Sequence, residues 1–370
     1  MASVWAQFWA QFQTSFFQTS MASFSKFKRP EEPRPGVISE LDLDILEVIL
    51  RFRFSPASQI WRLVGGNEDV AHRRLRRLWE RGLVNRFAFP FPRPHSEFYY
   101  YLDNRAPLAL LSERRGLEIH GEMLEEIRNN REKDYASAAL RGQHMQLGFL
   151  QHSLMISRMH FCVEMACGKS GGRVQLDAWR QGGPLAGRKV EVAKVKSSRD
   201  GNQHFWEESE ETERLPVEPD GLFTLRFFDR QGETHLAHFF YEADRGSMNS
   251  TDMLKKLRAY YHFVKRQQRH KESFGIHPIR AVLIETTDES RARRLMELVH
   301  HPLVCGSGKR AGLFWFTVSS LLATTFRGTD TTRVQPDYLQ QPEIVFDQIW
   351  ALPDRTMHRL TDTENDTLLQ

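Results

Sequence analysis

The sequence predicts an α+β protein of two folded parts: an N-terminal winged helix-turn-helix, then a mixed, layered α/β domain. Three observations predict it. Residues 39–120 carry three short amphipathic helix patterns followed by two β-rich runs. An aromatic β-hairpin pattern occupies 222–241. Around and beyond that hairpin, helix and strand patterns alternate in the way that packs helices onto a sheet. A chain of 370 residues, 40% hydrophobic and 26% charged, has enough apolar surface for two cores.

The first part is read in order. "SELDLDILEVILRF" places Leu43, Leu46, Ile49 and Leu50 at helical spacing behind a capping Ser39. "SPASQIWRLVGG" follows, with Ser55 in cap position, Pro56 at the first helical residue and glycines at the end. In "NEDVAHRRLRRLWERGLV", Val70, Leu75 and Leu78 point inward, leaving His72, Arg73, Arg76 and Arg77 on the outer surface. Asn67 to Asp69 sit at its positive end, Gly82 closes it, and Arg81 joins the basic set. "LVNRFAFPFPRPHSEFYYYL" is a hairpin whose Pro-studded tip carries Arg93. In a winged helix the third helix enters the major groove and the wing touches backbone or minor groove. Arginines there neutralise phosphates or fork onto guanine edges. A charge-rich helix is in most proteins a solvated face. Here seven arginines stand against three acids from Glu68 to His95, so the pattern points to double-stranded DNA. A winged helix used for dimerisation or protein contact is the alternative.

The flanks say less. The first 25 residues are uncharged and repeat WAQF, FQTS and MAS. They read as a disordered or folded-back tail or as a partner-docking helix, and Met21 leaves a later start open. "KRPEEPRPG" reads as a linker, giving a tail and linker over 1–38. A linker helix is expected over 121–140, the second domain over 141–325 and a C-terminal extension over 326–370. Three cysteines offer neither a disulfide framework nor paired zinc spacing, and no run of 18 apolar residues occurs. A cytoplasmic location is the expectation.

In the second domain a helix pattern runs from about 143 to 167, strand patterns follow, and an acidic loop is expected from Glu207 to Asp220, with seven acids against one arginine. The hairpin comes next, with its turn near Arg230–Gln231. Reflection about that turn sets Asp220 opposite Tyr241–Glu242, and strand alternation puts Glu242 and Asp244 on one face. Three carboxylates thus converge at one strand end, ahead of a helix in which Lys256 flanks the buried stripe. Clustered acids call for a neutralising partner, and Mg²⁺ or Mn²⁺ on Asp220 and Glu242 is the usual solution. Such an ion can generate hydroxide and stabilise charge on a phosphodiester. Strand ends also carry plain solvated acids, and Arg245 is at hand to pair with one. His152, on the long helix, reads either as a core histidine or as an accessory to the acids, with Glu164 a weaker accessory.

With these residues in view, Asp220 within "EPDG" followed by Glu242-Ala243-Asp244 resembles the PD-(D/E)XK, restriction-endonuclease-like fold. More specifically, "RRLRRLWERGLV", "QHSLMI", "PDGLF", "YEADRGS" and "KLRAYYHF", in this order over roughly residues 40–320, resemble the plasmid-type replication-relaxation family. The resemblance implies a winged helix joined to a nuclease-like domain, acting on the DNA of a plasmid or other mobile element in replication, relaxation or transfer. It implies Asp220, Glu242, Asp244 and Lys256 as catalytic candidates of a Mg- or Mn-dependent, nickase-like endonuclease, and replication or mobilisation proteins as partners. A homodimer is compatible with it. The nuclease motif has Lys two residues after its Glu, and Asp244 stands there; Lys256 is the replacement within reach. A non-enzymatic DNA-binding regulator with a degenerate second domain is the other reading.

Overall fold

A computed structural model describes residues 29, 36–88, 97–133, 135, 144–200, 203–228, 232–306, 309–322 and 338–362. The aromatic tail, Arg93 and the hairpin turn at 229–231 lie outside the described residues. The chain is α+β and divides into two compact units, Met1–Gln146 and Leu147–Gln370.

The first unit runs α1 (Glu40–Phe52), β1 (Ser55–Pro56), α2 (Ala57–Val64), α3 (Glu68–Glu80), β2 (Asn85–Phe87), β3 (Tyr99–Tyr101), α4 (Ala106–Arg115) and α5 (Gly121–Lys133). Ser39 starts α1 with a capping box: its hydroxyl accepts from the Asp42 amide, and its own amide donates to the Asp42 carboxylate. Leu43, Leu46, Ile49 and Phe52 of α1 are fully or almost fully buried, with Ile60 of α2 and Leu75 and Leu78 of α3. Phe54 and Tyr101 each meet Tyr135 edge-on beside them.

One expectation fails here. Ser55 and Pro56 do not open α2; they form β1, pairing with Tyr100 and Tyr99 at the edge of the antiparallel sheet β1-β3-β2. An edge strand tolerates proline because the missing N–H faces away from the ladder. The cap comes from the far side of the hairpin. The Glu97 carboxylate accepts from the Ser58 amide at 2.9 Å and the Ser58 hydroxyl at 3.0 Å, closing the start of α2 from a residue 39 positions away.

The second unit runs α6 (His144–Lys169), β4 (Val174–Arg180), β5 (Lys189–Asp200), β6 (Gln203–Pro216), β7 (Gly221–Phe228), β8 (Thr234–Ala243), α7 (Ser250–Tyr261), α8 (His270–Phe274), β9 (Ile279–Thr286), α9 (Glu289–Val299), β10 (Phe314–Val318), α10 (Ser319–Leu322), β11 (Trp350–Ala351) and β12 (Met357–His358). Seven strands form one sheet in the order β12-β11-β10-β9-β8-β7-β4. β8, β9 and β10 run parallel, and the flanking pairs are antiparallel. β11 and β12 lie in the stretch expected to be a C-terminal extension, yet they complete one edge of this sheet.

The acidic stretch is not a loop. Residues 207–216 belong to β6, which pairs with β5 along a two-stranded ribbon from Lys189↔Pro216 to Asp200↔Gln203. Val190, Val192 and Leu215 tie one end of the ribbon into the core, while Glu207, Glu208, Glu210 and Glu211 are exposed, so there β6 carries charge where a central strand would carry apolar residues. Lys194 answers Glu211 across it at 2.7 Å, and Arg258 of α7 holds Glu208 at 2.9 Å.

Side-chain alternation gives the main sheet two apolar faces. On one, Phe240, Val282 and Ile284 pack with Leu257 and Tyr260 of α7 and Leu295 of α9. On the other, Trp179, Phe223 and Phe239 stack in a row across β4, β7 and β8. His160 of α6 lies flat on Trp179, with ring centres 4.2 Å apart. Gly221 permits this row, since a Cβ there would stand 3.2 Å from the Trp179 ring.

Candidate functional site

In the first unit the candidate surface is α3. Asn67 caps it, Glu68 and Asp69 sit in its first turn, and Ala71, Leu75, Leu78 and Trp79 turn inward. That burial forces His72, Arg73, Arg76 and Arg77 outward, and all four are exposed. They are not equivalent. Arg76 is tied to Glu80 at 2.9 Å, and Arg74 to Asp42 of α1 at 3.2 Å. Arg73, Arg77 and Arg81 follow one another at i, i+4 and i+8, and among the described residues none of them has an acidic partner. With Arg74 and Arg76 they border a cavity of about 560 Å³ beside Gly36 and Val37. Uncompensated guanidinium groups in a row suit a chain of phosphates.

In the second unit the candidate site lies at the ends of β7 and β8. Their register runs from Phe228↔Thr234 to Gly221↔Tyr241, so the residues just beyond, Asp220 and Glu242, come together. Asp220 Oδ2 accepts from the Ala243 amide at 2.8 Å. Its Oδ1 meets Nε2 of His152 at 2.9 Å, and the other ring nitrogen, Nδ1, meets the Ala243 carbonyl at 3.1 Å. Glu242 is buried. Lys256 of α7 donates to its Oε2 and the Tyr260 hydroxyl to its Oε1. Lys256 and Tyr260 are one helical turn apart, which is why one carboxylate takes both. A cavity of about 120 Å³ opens beside them, bordered by His152, Glu242, Asp244, Arg245, Lys256 and Tyr260.

Asp244 points to the same side of the sheet as Glu242 but stays out of the pair. Arg291 of α9 holds its Oδ2 at 2.9 Å and its Oδ1 at 3.3 Å, with Thr286 donating at 2.8 Å. The convergence of three carboxylates therefore reduces to two, because an arginine 47 residues on claims the third. Arg245, next to these acids in sequence, instead leans on α6 at Gly148, where a Cβ would come within 2.9 Å of its guanidinium. Glu164 sits 3.5 Å from His160, one turn away on α6, and takes no part.

Beneath the site a second buried acid, Glu285 of β9, accepts from Arg158 of α6, from the Tyr241 hydroxyl at 2.7 Å and from Ser319 at 2.6 Å. Arg158 and His152 share α6, so this ion pair fixes the helix that presents His152.

Burial opposes charge at every group of the site, and the partners decide the outcome. Burial raises Glu242, and although Lys256 pulls the other way its carboxyl is pushed up to about 7. Burial would raise Asp220 too, but His152 and Lys256 hold it below the usual range. Burial would lower His152 and Lys256, yet Asp220 and Glu242 raise both.

A divalent cation needs carboxylate oxygens to coordinate. All four oxygens of Asp220 and Glu242 already accept from donors of the chain itself. Among the described residues no three His, Cys, Asp or Glu side chains are grouped to hold an ion. In this arrangement the residues do not fit Mg²⁺ or Mn²⁺.

Residues 46–279, more than half of the chain, match the family model described as replication-relaxation. The chain belongs to the replication-relaxation family. No curated protein and no solved structure matches it. The family span takes in α3, His152, Asp220, Glu242 and Lys256 and stops where β9 begins. Glu285 and Arg291, which lie behind the Asp220–Glu242 pair, fall past its end. No sequence signal marks them, and the spacing of Tyr260 marks it only as part of a buried stripe. Among the described residues no helix is long and apolar enough to cross a membrane.

Proposed function

We propose that this replication-relaxation protein binds double-stranded DNA through its first unit, used as a winged helix, and acts in replication, relaxation or transfer of a plasmid or other mobile element. The second unit is a nuclease-like scaffold that positions DNA or partner proteins without cutting. The observation that carries the reading is the row Arg73, Arg77 and Arg81 along α3, left without acidic partners among the described residues while Arg74 and Arg76 are neutralised. A solvated face gains nothing from such selective pairing, whereas a phosphate surface needs it.

Duplex binding, followed by fluorescence anisotropy from about 50 to 200 mM salt, tests it. Arg73, Arg77 and Arg81 changed together to Ala remove up to three phosphate contacts. Each lost contact lowers the slope of log K against log salt by about 0.9. An unchanged affinity and slope in the folded triple variant removes α3 from the interface. Metal-dependent strand cleavage is the second reading, favoured by Lys256 reaching Glu242 from the next helix. Nicking of supercoiled DNA in Mn²⁺ that disappears in Asp220→Asn would establish it. The scaffold reading expects no nicking.

A further inference from the structure

Two oxygens at the end of β8 stand on either side of one imidazole. They are Oδ1 of Asp220 and the carbonyl of Ala243. The imidazole of His152 lies between them, 2.9 Å from one and 3.1 Å from the other. A carbonyl oxygen only accepts, so Nδ1 must carry a proton. An ionised carboxylate only accepts, so Nε2 must carry one as well. A ring with both nitrogens protonated is a cation. The ammonium of Lys256 stands in the same way on Glu242, and its charge also acts on Asp220.

We infer that His152 and Lys256 are built-in cations of the Asp220–Glu242 pair, supplying from within the chain the positive charge a divalent ion would bring, so that the site is complete without metal. With both acids ionised, two negative charges meet two positive ones. Adding Mn²⁺ to this closed set would leave a buried, uncompensated double charge, which the interior resists strongly. A metal ion could enter only after His152 or Lys256 had been displaced. The ion pair of Arg158 with Glu285 opposes displacement of His152, because it anchors α6 to the sheet about one and a half turns further along the helix.

The test uses the full-length protein, Mn²⁺ alone as the probe, and thermal unfolding of the second unit. An ion bound at hundredfold excess over its Kd would raise Tm by roughly 5–10 °C in a unit of this size. The expected result for the wild type is the same Tm, within about 1 °C, in EDTA and in millimolar Mn²⁺. A Mn²⁺ shift that Asp220→Asn abolishes overturns the inference. A shift that Asp220→Asn leaves untouched arises elsewhere, and the site's own response is then nil, as expected. Removing the built-in cations with His152→Gln and Lys256→Met together should lower Tm in EDTA and create a Mn²⁺-dependent rise absent from the wild type. If that double variant does not fold, His152→Gln alone takes the cation from Asp220 and must gain the Mn²⁺ response. Failure of a folded variant to gain it overturns the assignment of His152 to a cation position. These readouts involve heat and metal, not DNA, so failure here and failure of DNA binding are separate results.

Discussion

The arginine row of α3 and the acid pair at the ends of β7 and β8 handle charge in opposite ways. On α3, Arg73 and Arg77 are exposed and without acidic partners among the described residues, and the helix folds on its inward Leu75 and Leu78. At the acid pair every carboxylate oxygen is met by a donor of the chain, and Glu242 is only 5% exposed. Surface charge without a partner contributes little to stability and is available to a ligand. Buried charge with a full set of partners is bound up with the fold, because loss of one partner strands the other. The two regions should therefore respond to mutation in opposite senses.

The largest effect is expected at Lys256. Lys256→Met leaves Glu242 buried with only the Tyr260 hydroxyl, and breaking a buried pair from one side costs about 3–5 kcal/mol. Urea unfolding at pH 8 measures it. Glu242→Gln in the same chain should recover most of the loss, since neither charge is then stranded. A double variant no more stable than Lys256→Met would mean that the pair does not act together, and the contrast with α3 would fail.

A pH series sharpens the contrast. Burial, reinforced by Asp220, raises Glu242 to about 7 against the pull of Lys256 and Tyr260. A carboxyl raised in the folded state contributes its stability when protonated. That contribution is complete below about pH 4.5 and is lost as pH climbs through about 7. His238, His262, His270, His301 and His358, all lowered by burial, act in the opposite sense and lose stability as the solution is acidified. The informative quantity is thus the stability of wild type minus that of Glu242→Gln. It should fall by up to about 3 kcal/mol between about pH 4.5 and 7, since a proton held tenfold more tightly in the folded chain is worth about 1.4 kcal/mol. A difference that stays flat over this interval would show that Glu242 is not held in a dehydrated site. The same subtraction with Arg77→Ala should be flat.

Arg291→Ala comes next. It removes the two hydrogen bonds and the charge facing Asp244, and a third bond to the Met248 carbonyl, while Thr286 and the Gly246 amide still donate to Asp244. The expected loss is about 2 kcal/mol, read by chemical unfolding. Because Asp244 is satisfied apart from the Asp220–Glu242 pair, Arg291→Ala and Lys256→Met should add within about 0.5 kcal/mol. Strong coupling between them would restore the three-carboxylate cluster expected from the sequence.

Much of this is legible in the sequence because local patterns and local structure agree. The helical spacing of Leu43, Leu46 and Ile49 behind Ser39 gives α1, and the one-sided basic stretch around Arg73 gives the exposed face of α3. The reflection of Asp220 onto Glu242 needs only a hairpin and its turn. What escapes depends on distant partners or on ambiguous composition. Glu97 caps α2 across the sheet, which frees Ser55 and Pro56 to become a strand. The acids of β6 look like a loop because Glu207, Glu208, Glu210 and Glu211 are exposed and leave no apolar alternation to read. Asp244 looks like a ligand because nothing near it in sequence announces Arg291. His152 shows only as a histidine on an apolar helix; its position between Asp220 and Ala243 follows from where α6 lands on the sheet.

The smallest effect on stability tests the other half of the contrast. Arg73→Ala and Arg77→Ala remove exposed side chains that have no acidic partner among the described residues, and they leave Leu75 and Leu78 in place. Substitutions of this kind shift unfolding free energy by no more than about 0.5 kcal/mol in either direction. Arg74→Ala, a change of the same chemistry one position away, should cost more. It takes the cationic partner from Asp42, which is buried and keeps its Ser39 bonds in the capping box of α1, and about 1–2 kcal/mol is expected. If Arg77→Ala lowers stability as much as Arg74→Ala does, the row on α3 is structural and its arginines are already engaged. If Arg77→Ala leaves stability alone and lowers duplex affinity together with the salt slope, the same substitution has separated a binding charge from a structural one within a single helix.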